Sequence, residues 1–291
     1  MSDTLIATLG GLWAMLLWGA GDWLLSRSSK KRDAFEANLS FQLPSVFISV
    51  LLVITSLHHV SSWHNIWVLV IASVIFAVAF LAFIRALATG AVGIIVPVAN
   101  SYPFFTLVLT AIFLSLAFGH IQIIGMVTVV VGVLLLAYDK RDKKISLQVQ
   151  HQAILLALTA AALWSVGNVV QNSVIGKEAW QNVLLAIDLP ITLVALVMLT
   201  VKDIKNPYPG VKRALTDRAS ILSGTTYCAG SIGFYYCSVR VGSVIIPVII
   251  GSVATLVTSA LSAFFDGERL NVWKRVGAVV AVVGIVLINI Q

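Results

Sequence analysis

Apolar runs of about 20 residues, separated by short polar breaks, follow one another along the whole chain. A helix needs about 20 mostly apolar residues to cross a hydrocarbon core about 30 Å thick. On that criterion the pattern predicts ten spanning helices. The first five run Leu5–Leu25, Asn38–Leu57, Ile66–Ala88, Ile94–Leu116 and Ile121–Tyr138. The second five run Ala153–Ser173, Asn182–Val201, Ser220–Val239, Val244–Phe264 and Val272–Ile290. The runs are too long and too unalternating for barrel strands, and a helix alone satisfies its own backbone in lipid. The breaks are short: Ser26–Glu36 is basic and serine-rich, Asp139–Gln152 is charged, and Lys202–Ala219 contains Asn206-Pro207-Tyr208-Pro209-Gly210, which is expected to stop a helix. No loop is long enough for a soluble domain, so function is expected within the membrane.

The pattern repeats. Leu17-Trp18-Gly19-Ala20-Gly21-Asp22 corresponds to Leu163-Trp164-Ser165-Val166-Gly167-Asn168 at a spacing of 146, and Gln42-Leu43-Pro44 corresponds to Asp188-Leu189-Pro190 at the same spacing. Ile95-Val96-Pro97-Val98 corresponds to Ile245-Ile246-Pro247-Val248 at 150, and Gly125 and Gly132 to Gly277 and Gly284 at 152. Matches in one order with slowly growing offsets describe two homologous halves, 1–140 and 151–291. Five helices per half is an odd number, so the second half must insert inverted relative to the first. The expected fold is an all-α membrane protein of ten transmembrane helices in two inverted five-helix repeats. That architecture places a central site between the halves and suits alternating access.

Composition agrees and excludes most other classes. Hydrophobic residues make up 59% and charged residues 11%, with a mean hydropathy of +0.99; soluble domains carry about 25% charged residues. The net charge of +7 reads as basic loops rather than nucleic-acid binding. If the N-terminus is outside, seventeen Lys and Arg fall in inward loops and only Lys177 and Arg240 in outward ones. The positive-inside bias thus predicts both termini outside, in a cell inner (plasma) membrane. Cys228 and Cys237 both lie in an apolar run, which fits packing rather than a disulfide or a metal site.

These motifs resemble the EamA-type transporters of the drug/metabolite transporter superfamily. The resemblance rests on the Leu-Trp-small-x-Gly element opening each half, on Pro after a glycine-containing turn (Gly93–Pro97 and Gly242–Pro247), and on Gly267-Glu268 before the last helix. Leu116 stands about where Glu268 stands in the second half, a departure from the pattern. The resemblance implies ten helices and export or exchange of amino acids, nucleosides, sugars or other metabolites. It also implies inside termini, against the charge count.

Candidate chemistry follows from what is costly in a membrane. An Asp at a helix centre costs about 2.5–3.5 kcal/mol on insertion scales. Asp22 is expected near the inner end of its helix, about 26 Å beyond Leu5 at about 1.5 Å per residue. Asp188, about 9 Å into its segment by the same rise, is the stronger candidate for substrate contact or proton carriage. In the repeat Asp22 pairs with Asn168 and Asp188 with Gln42, so all four are expected to face one cavity. Asn100, Ser101 and Tyr102 lie between Pro97 and Pro103, where freed carbonyls could bind ligand. Trp18 and Trp164 are expected to line the cavity or pack helices, and Pro97 and Pro247 to act as hinges. Tyr227, Tyr235, Gln171 and Asn172 are weaker candidates. His58, His59 and His64 share a loop without acid or cysteine, so no metal is expected there.

No catalytic set, phosphate loop or cofactor motif is visible, so no enzyme activity and no cofactor are expected. The expected partners are a small-molecule substrate, the lipid bilayer and protons, without nucleic acid, in a monomer or homodimer. A second reading is a membrane-embedded lipid-handling protein, either scramblase or enzyme. An enzyme should gather its acids at one depth, whereas Asp22 and Asp188 start from opposite faces.

Overall fold

The computed structural model describes residues 2–56, 60–114, 118–136, 147–202, 208–267 and 271–290. Among them the chain is helical, with no strand. The first half comprises α1 (Asp3–Ser29), α2 (Ala34–Ser56), α3 (Trp63–Thr89), α4 (Val92–Ala99), α5 (Tyr102–Phe113) and α6 (His120–Leu136). The second comprises α7 (Leu147–Asn172), α8 (Trp180–Lys202), α9 (Tyr208–Leu215), α10 (Arg218–Val241), α11 (Ile245–Gly251), α12 (Ala254–Phe265) and α13 (Val272–Ile288). Three helix starts carry side-chain caps. Ser2 accepts from the Leu5 amide, Asp217 from Ser220 and Asn271 from Lys274, each satisfying a donor that the helix itself leaves open.

Over its described residues each predicted segment coincides with one helix or with a pair of shorter ones, and seven spans are long and apolar enough to cross a membrane. They are α1, α2, α3, α4–α5, α7, α8 and α11–α12, while α6 is a shorter apolar helix. α10 is 24 residues long yet less apolar, because it turns Ser223, Tyr227 and Ser231 inward instead of toward lipid. Two expectations need correction. The Pro-rich break does not stay non-helical: Tyr208-Pro209-Gly210 opens α9, where proline at a first turn forfeits no hydrogen bond. Gly93 lies inside α4, and the turn before it is at Gly90, so the glycine turn of the first half sits three residues earlier than expected. Gly242 does occupy the expected turn, capping α10 at φ 68° in the left-handed region. Glu268 and Leu116 lie outside the described residues.

Packing is symmetric under exchange of the halves. α1 lies along α10, and its repeat mate α7 lies along α3, the mate of α10. α1 meets α11 and α12 as α7 meets α4 and α5, and α10 packs on α2 as α3 packs on α8. α2 and α8 pack on each other, as do α6 and α13. The α6–α13 seam brings backbones into contact: Gly125 and Gly132 face Gly284, Ile288 and Ala281, and Gly277 faces the Gly132 carbonyl. Such small-residue seams let helices approach closely where lipid supplies no hydrophobic drive.

One end of the bundle is polar and joins the halves. Arg27 pairs with Asp266, Lys202 with Asp33 at 2.7 Å, and Arg213 with Glu36 at 2.6 Å. Each pair links the first half to the second. Burial alone would raise the Asp33 carboxyl, but the Lys202 ammonium and the Phe35 amide hold it below its ordinary value. Between these pairs the Ser28 hydroxyl donates to Asp217, and Ser220 donates to Ser28 at 2.8 Å. At the opposite end buried Glu178 accepts from the amides of Ser61 (2.8 Å) and Ser62 (2.7 Å) and from Asn65 Nδ2 (3.0 Å). At the ion-paired end the Arg85 guanidinium lies over the Phe35 ring at 4.7 Å.

On the charge bias, the ion-paired end is expected to face the cytoplasm. Cysteines introduced at exposed Lys31 and at exposed Ser61 test this directly in intact cells. An impermeant thiol reagent is expected to label Ser61→Cys and to spare Lys31→Cys; the reverse pattern overturns the orientation.

Candidate functional site

The Leu-Trp-small-x-Gly element is a packing device that builds the centre. Gly19 and Ser165, the small residues after each tryptophan, sit against the broken helix of the other half. A Cβ on Gly19 would lie 2.5 Å from the Ala254 carbonyl oxygen, at the start of α12. Ser165 Oγ donates to the Tyr102 carbonyl, at the start of α5, at 2.6 Å. Thr258 Oγ1 returns a bond to the Gly19 carbonyl at 2.9 Å. Gly21 and Gly167 then make room for aromatic rings, Tyr227 of α10 and Phe76 of α3 respectively.

The broken helices carry a second symmetry. α4–α5 breaks at Asn100–Ser101 and α11–α12 at Ser252–Val253, and all four residues have φ between −64° and −77° with ψ between −19° and 5°. The break pairs stand 152 residues apart, as do the start and end of the helices that follow. Pro97 and Pro247 lie inside α4 and α11, three and five residues before the break. Each break thus follows its proline by about one helical turn. In the second half no proline follows the break as Pro103 does in the first; the break there is held against α1, where Thr258 bonds the Gly19 carbonyl.

Between the halves lies a cavity of about 90 Å³. Of the residues proposed from sequence, Trp18, Gln42, Asn100, Tyr102, Trp164, Asn168 and Asp188 line it. Ser101 does not; it is buried and its hydroxyl closes on the Val98 carbonyl at 2.7 Å. Asp22 is not at a helix end as expected, because α1 runs on to Ser29. It is 1% exposed and stands behind the wall, where Asn100 Nδ2 approaches its Oδ2 at 3.5 Å. Asp188 is 8% exposed and lies one turn before Thr192, whose hydroxyl donates to the Asp188 carbonyl at 2.8 Å. Asp22 Oδ1 and Asp188 Oδ2 have no hydrogen-bond partner.

The polar wall is otherwise a short relay. Tyr235 donates to Gln171 Oε1 at 3.2 Å, and Gln171 Nε2 donates to Asn168 Oδ1 at 2.8 Å. Gln42 Nε2 reaches Asn38 Oδ1 at 3.5 Å, and Tyr102 OH donates to the Val248 carbonyl across the halves at 3.2 Å. Asn172 instead secures the turn before α11, accepting from Ser243 and from the Val244 amide. The rest of the wall is aromatic. Trp18 stacks on Tyr227 with centroids 5.4 Å apart and 14° between planes, and Trp164 meets Phe80, Phe83 and Tyr102 edge-on. Phe41, Phe76, Phe80 and Phe234 escaped the sequence reading, since nothing distinguishes an inward phenylalanine from a lipid-facing one in an apolar helix. Among the described residues no group of His, Cys, Asp and Glu is placed to hold a metal; His58 and His59 lie outside them.

A two-repeat bundle of apolar helices, with its polar groups turned to a central cavity, defines an integral membrane protein. Residues 5–138 and 151–290 each match the model of the EamA-like transporter family, and the chain belongs to that family, a member of the drug/metabolite transporter superfamily. Members of the family are membrane transporters, not enzymes. An uncharacterized protein of Methanocaldococcus jannaschii, MJ1333.1, is 28% identical over 143 residues, which is 48% of this chain and 97% of the relative. That relative has about the length of one half. A protein of known crystal structure shares the fold with a TM-score of 0.66 at 16% identity, over 97% of this chain and 96% of its own.

Proposed function

We propose that this protein is a secondary transporter that crosses the membrane ten times, as two inverted five-helix repeats, and moves a small polar metabolite such as an amino acid, nucleoside or sugar by alternating access. The observation that carries this reading is the symmetric meeting of the halves around one cavity. Each half contributes a broken helix, a tryptophan and a small residue to the other, so the same contacts can be made in two related arrangements. Ion pairs at one end and the Glu178 clasp at the other are the contacts that would open in turn. Asp188, on the cavity wall inside a spanning helix, is the residue proposed to couple transport to protons. Asp22, Asn168, Gln42, Asn100, Tyr102, Trp18 and Trp164 are proposed to shape the substrate site, with the breaks beyond Pro97 and Pro247 as the hinges.

Purified protein in proteoliposomes, screened for uptake with and without a proton gradient, tests this. Saturable uptake that is accelerated by the same solute preloaded inside is expected. Lipid scrambling without solute movement would instead establish the lipid-handling alternative and end the transporter reading.

A further inference from the structure

Resting on that reading and narrowing it, we infer that the solute is an organic monocation with an aromatic or apolar body. The charge on the cavity wall is of one sign. Asp188 lines it, and Asp22 stands one residue behind it through Asn100. Among the described lining residues there is no Lys, Arg or His. Both carboxylates keep an oxygen with no hydrogen-bond partner, though both are more than nine-tenths buried. A buried carboxylate oxygen without a donor is costly, and a cationic ligand is the donor that relieves it.

The remaining wall selects the body of the ligand. Nine of the nineteen lining residues are aromatic, and aromatic faces attract cations held within about 6 Å of the ring. Trp18 and Tyr227 present one stacked pair, while Tyr235 sits on the Asp188 side. An anion would meet two carboxylates and the negative faces of these rings, with no cation to offset them. A neutral polyol would leave the unpartnered oxygens with only its hydroxyls and would strand its own on aromatic carbon. An ammonium on a ring-sized apolar group satisfies both halves of the wall.

The test uses three probes of similar size and different charge, benzyltrimethylammonium, benzyl alcohol and phenylacetate, with the full chain in lipid nanodiscs. Binding is read by calorimetry and by quenching of tryptophan fluorescence. Benzyltrimethylammonium is expected to bind at least tenfold more tightly than either comparator. Asp188→Asn is expected to weaken it by about tenfold or more, the scale of removing one partner of a buried charge contact, and to change benzyl alcohol binding far less. Equal binding of the three probes, preference for phenylacetate, or an unchanged affinity in Asp188→Asn overturns the inference; the probe comparison needs no variant and survives a folding defect. Uptake of a neutral or anionic solute in the proteoliposome screen, without cation binding, would overturn this inference and keep the transporter. Cation binding with no uptake of any solute would do the opposite.

Discussion

Replacing Asp188 with Asn is expected to abolish accumulation driven by a pH gradient while leaving equal-pH exchange of substrate measurable. Asp188 sits inside α8, 8% exposed on the cavity wall, with Oδ2 unpartnered. The amide keeps the size and most of the hydrogen bonding but removes the exchangeable proton and the charge. Loss of the proton removes the gradient-driven mode, and loss of the contact with a cationic solute raises the apparent KM of the exchange that remains. Normal uptake and normal KM in this variant would remove Asp188 from the mechanism. Asp22→Asn is expected to be milder, since Asp22 stands behind the cavity wall, against Asn100, and Asn168 already stands at the matching position of the other half.

The second large effect is on folding rather than transport. A Cβ on Gly132 would lie 2.5 Å from the Ala281 amide nitrogen and 2.7 Å from its Cα, and one on Gly284 would lie 2.6 Å from the Val129 amide nitrogen. The obstructing atoms are backbone, so neither helix can yield by rotating a side chain. Gly132→Val and Gly284→Val are expected to force α6 and α13 apart and to cost at least the ~1–3 kcal/mol of an overpacked core. Gly119→Val is the control, because its nearest neighbour is the Gln122 side chain at 3.8 Å. Size-exclusion profiles after heating in detergent check this: the seam variants are expected to aggregate at lower temperature, and the control to match the parent. Parent-like profiles for both seam variants would contradict the close approach.

The features readable in the sequence are those set by length or by local rhythm. Spans follow from bilayer thickness, and the repeat follows from Trp18/Trp164, Gln42/Asp188 and the glycines of α6 and α13. What the sequence withholds is facing. In helices apolar all round, the contrast between lipid and core sides is small, so Phe76 reads the same as Trp67 although one lines the cavity and the other is exposed. Depth is also hard to read where an apolar run ends gradually. Asp22 looks terminal because Ser26 and Arg27 follow it, yet α1 continues through them and buries the acid. Glu178 could not be found at all, since its partners lie 113 to 117 residues away. The exact place of each helix break is hidden for a related reason: prolines are visible in sequence, but the contacts from Gly19 and Ser165 that hold the breaks are not.

Alternating access around the central cavity is tested most directly by reaching that cavity from each side in turn. Ser231 of α10 lines it and accepts from Trp18 Nε1 at 3.3 Å; Ser231→Cys, with Cys228 and Cys237 replaced by Ser, gives one reporter thiol. Sealed right-side-out and inside-out vesicles are exposed to an impermeant thiol reagent, with Lys31→Cys confirming that each preparation is sealed. The account predicts modification of the Ser231→Cys thiol from both sides, while Lys31→Cys reacts from one. Modification of the Ser231→Cys thiol from a single side, or from neither, would contradict it.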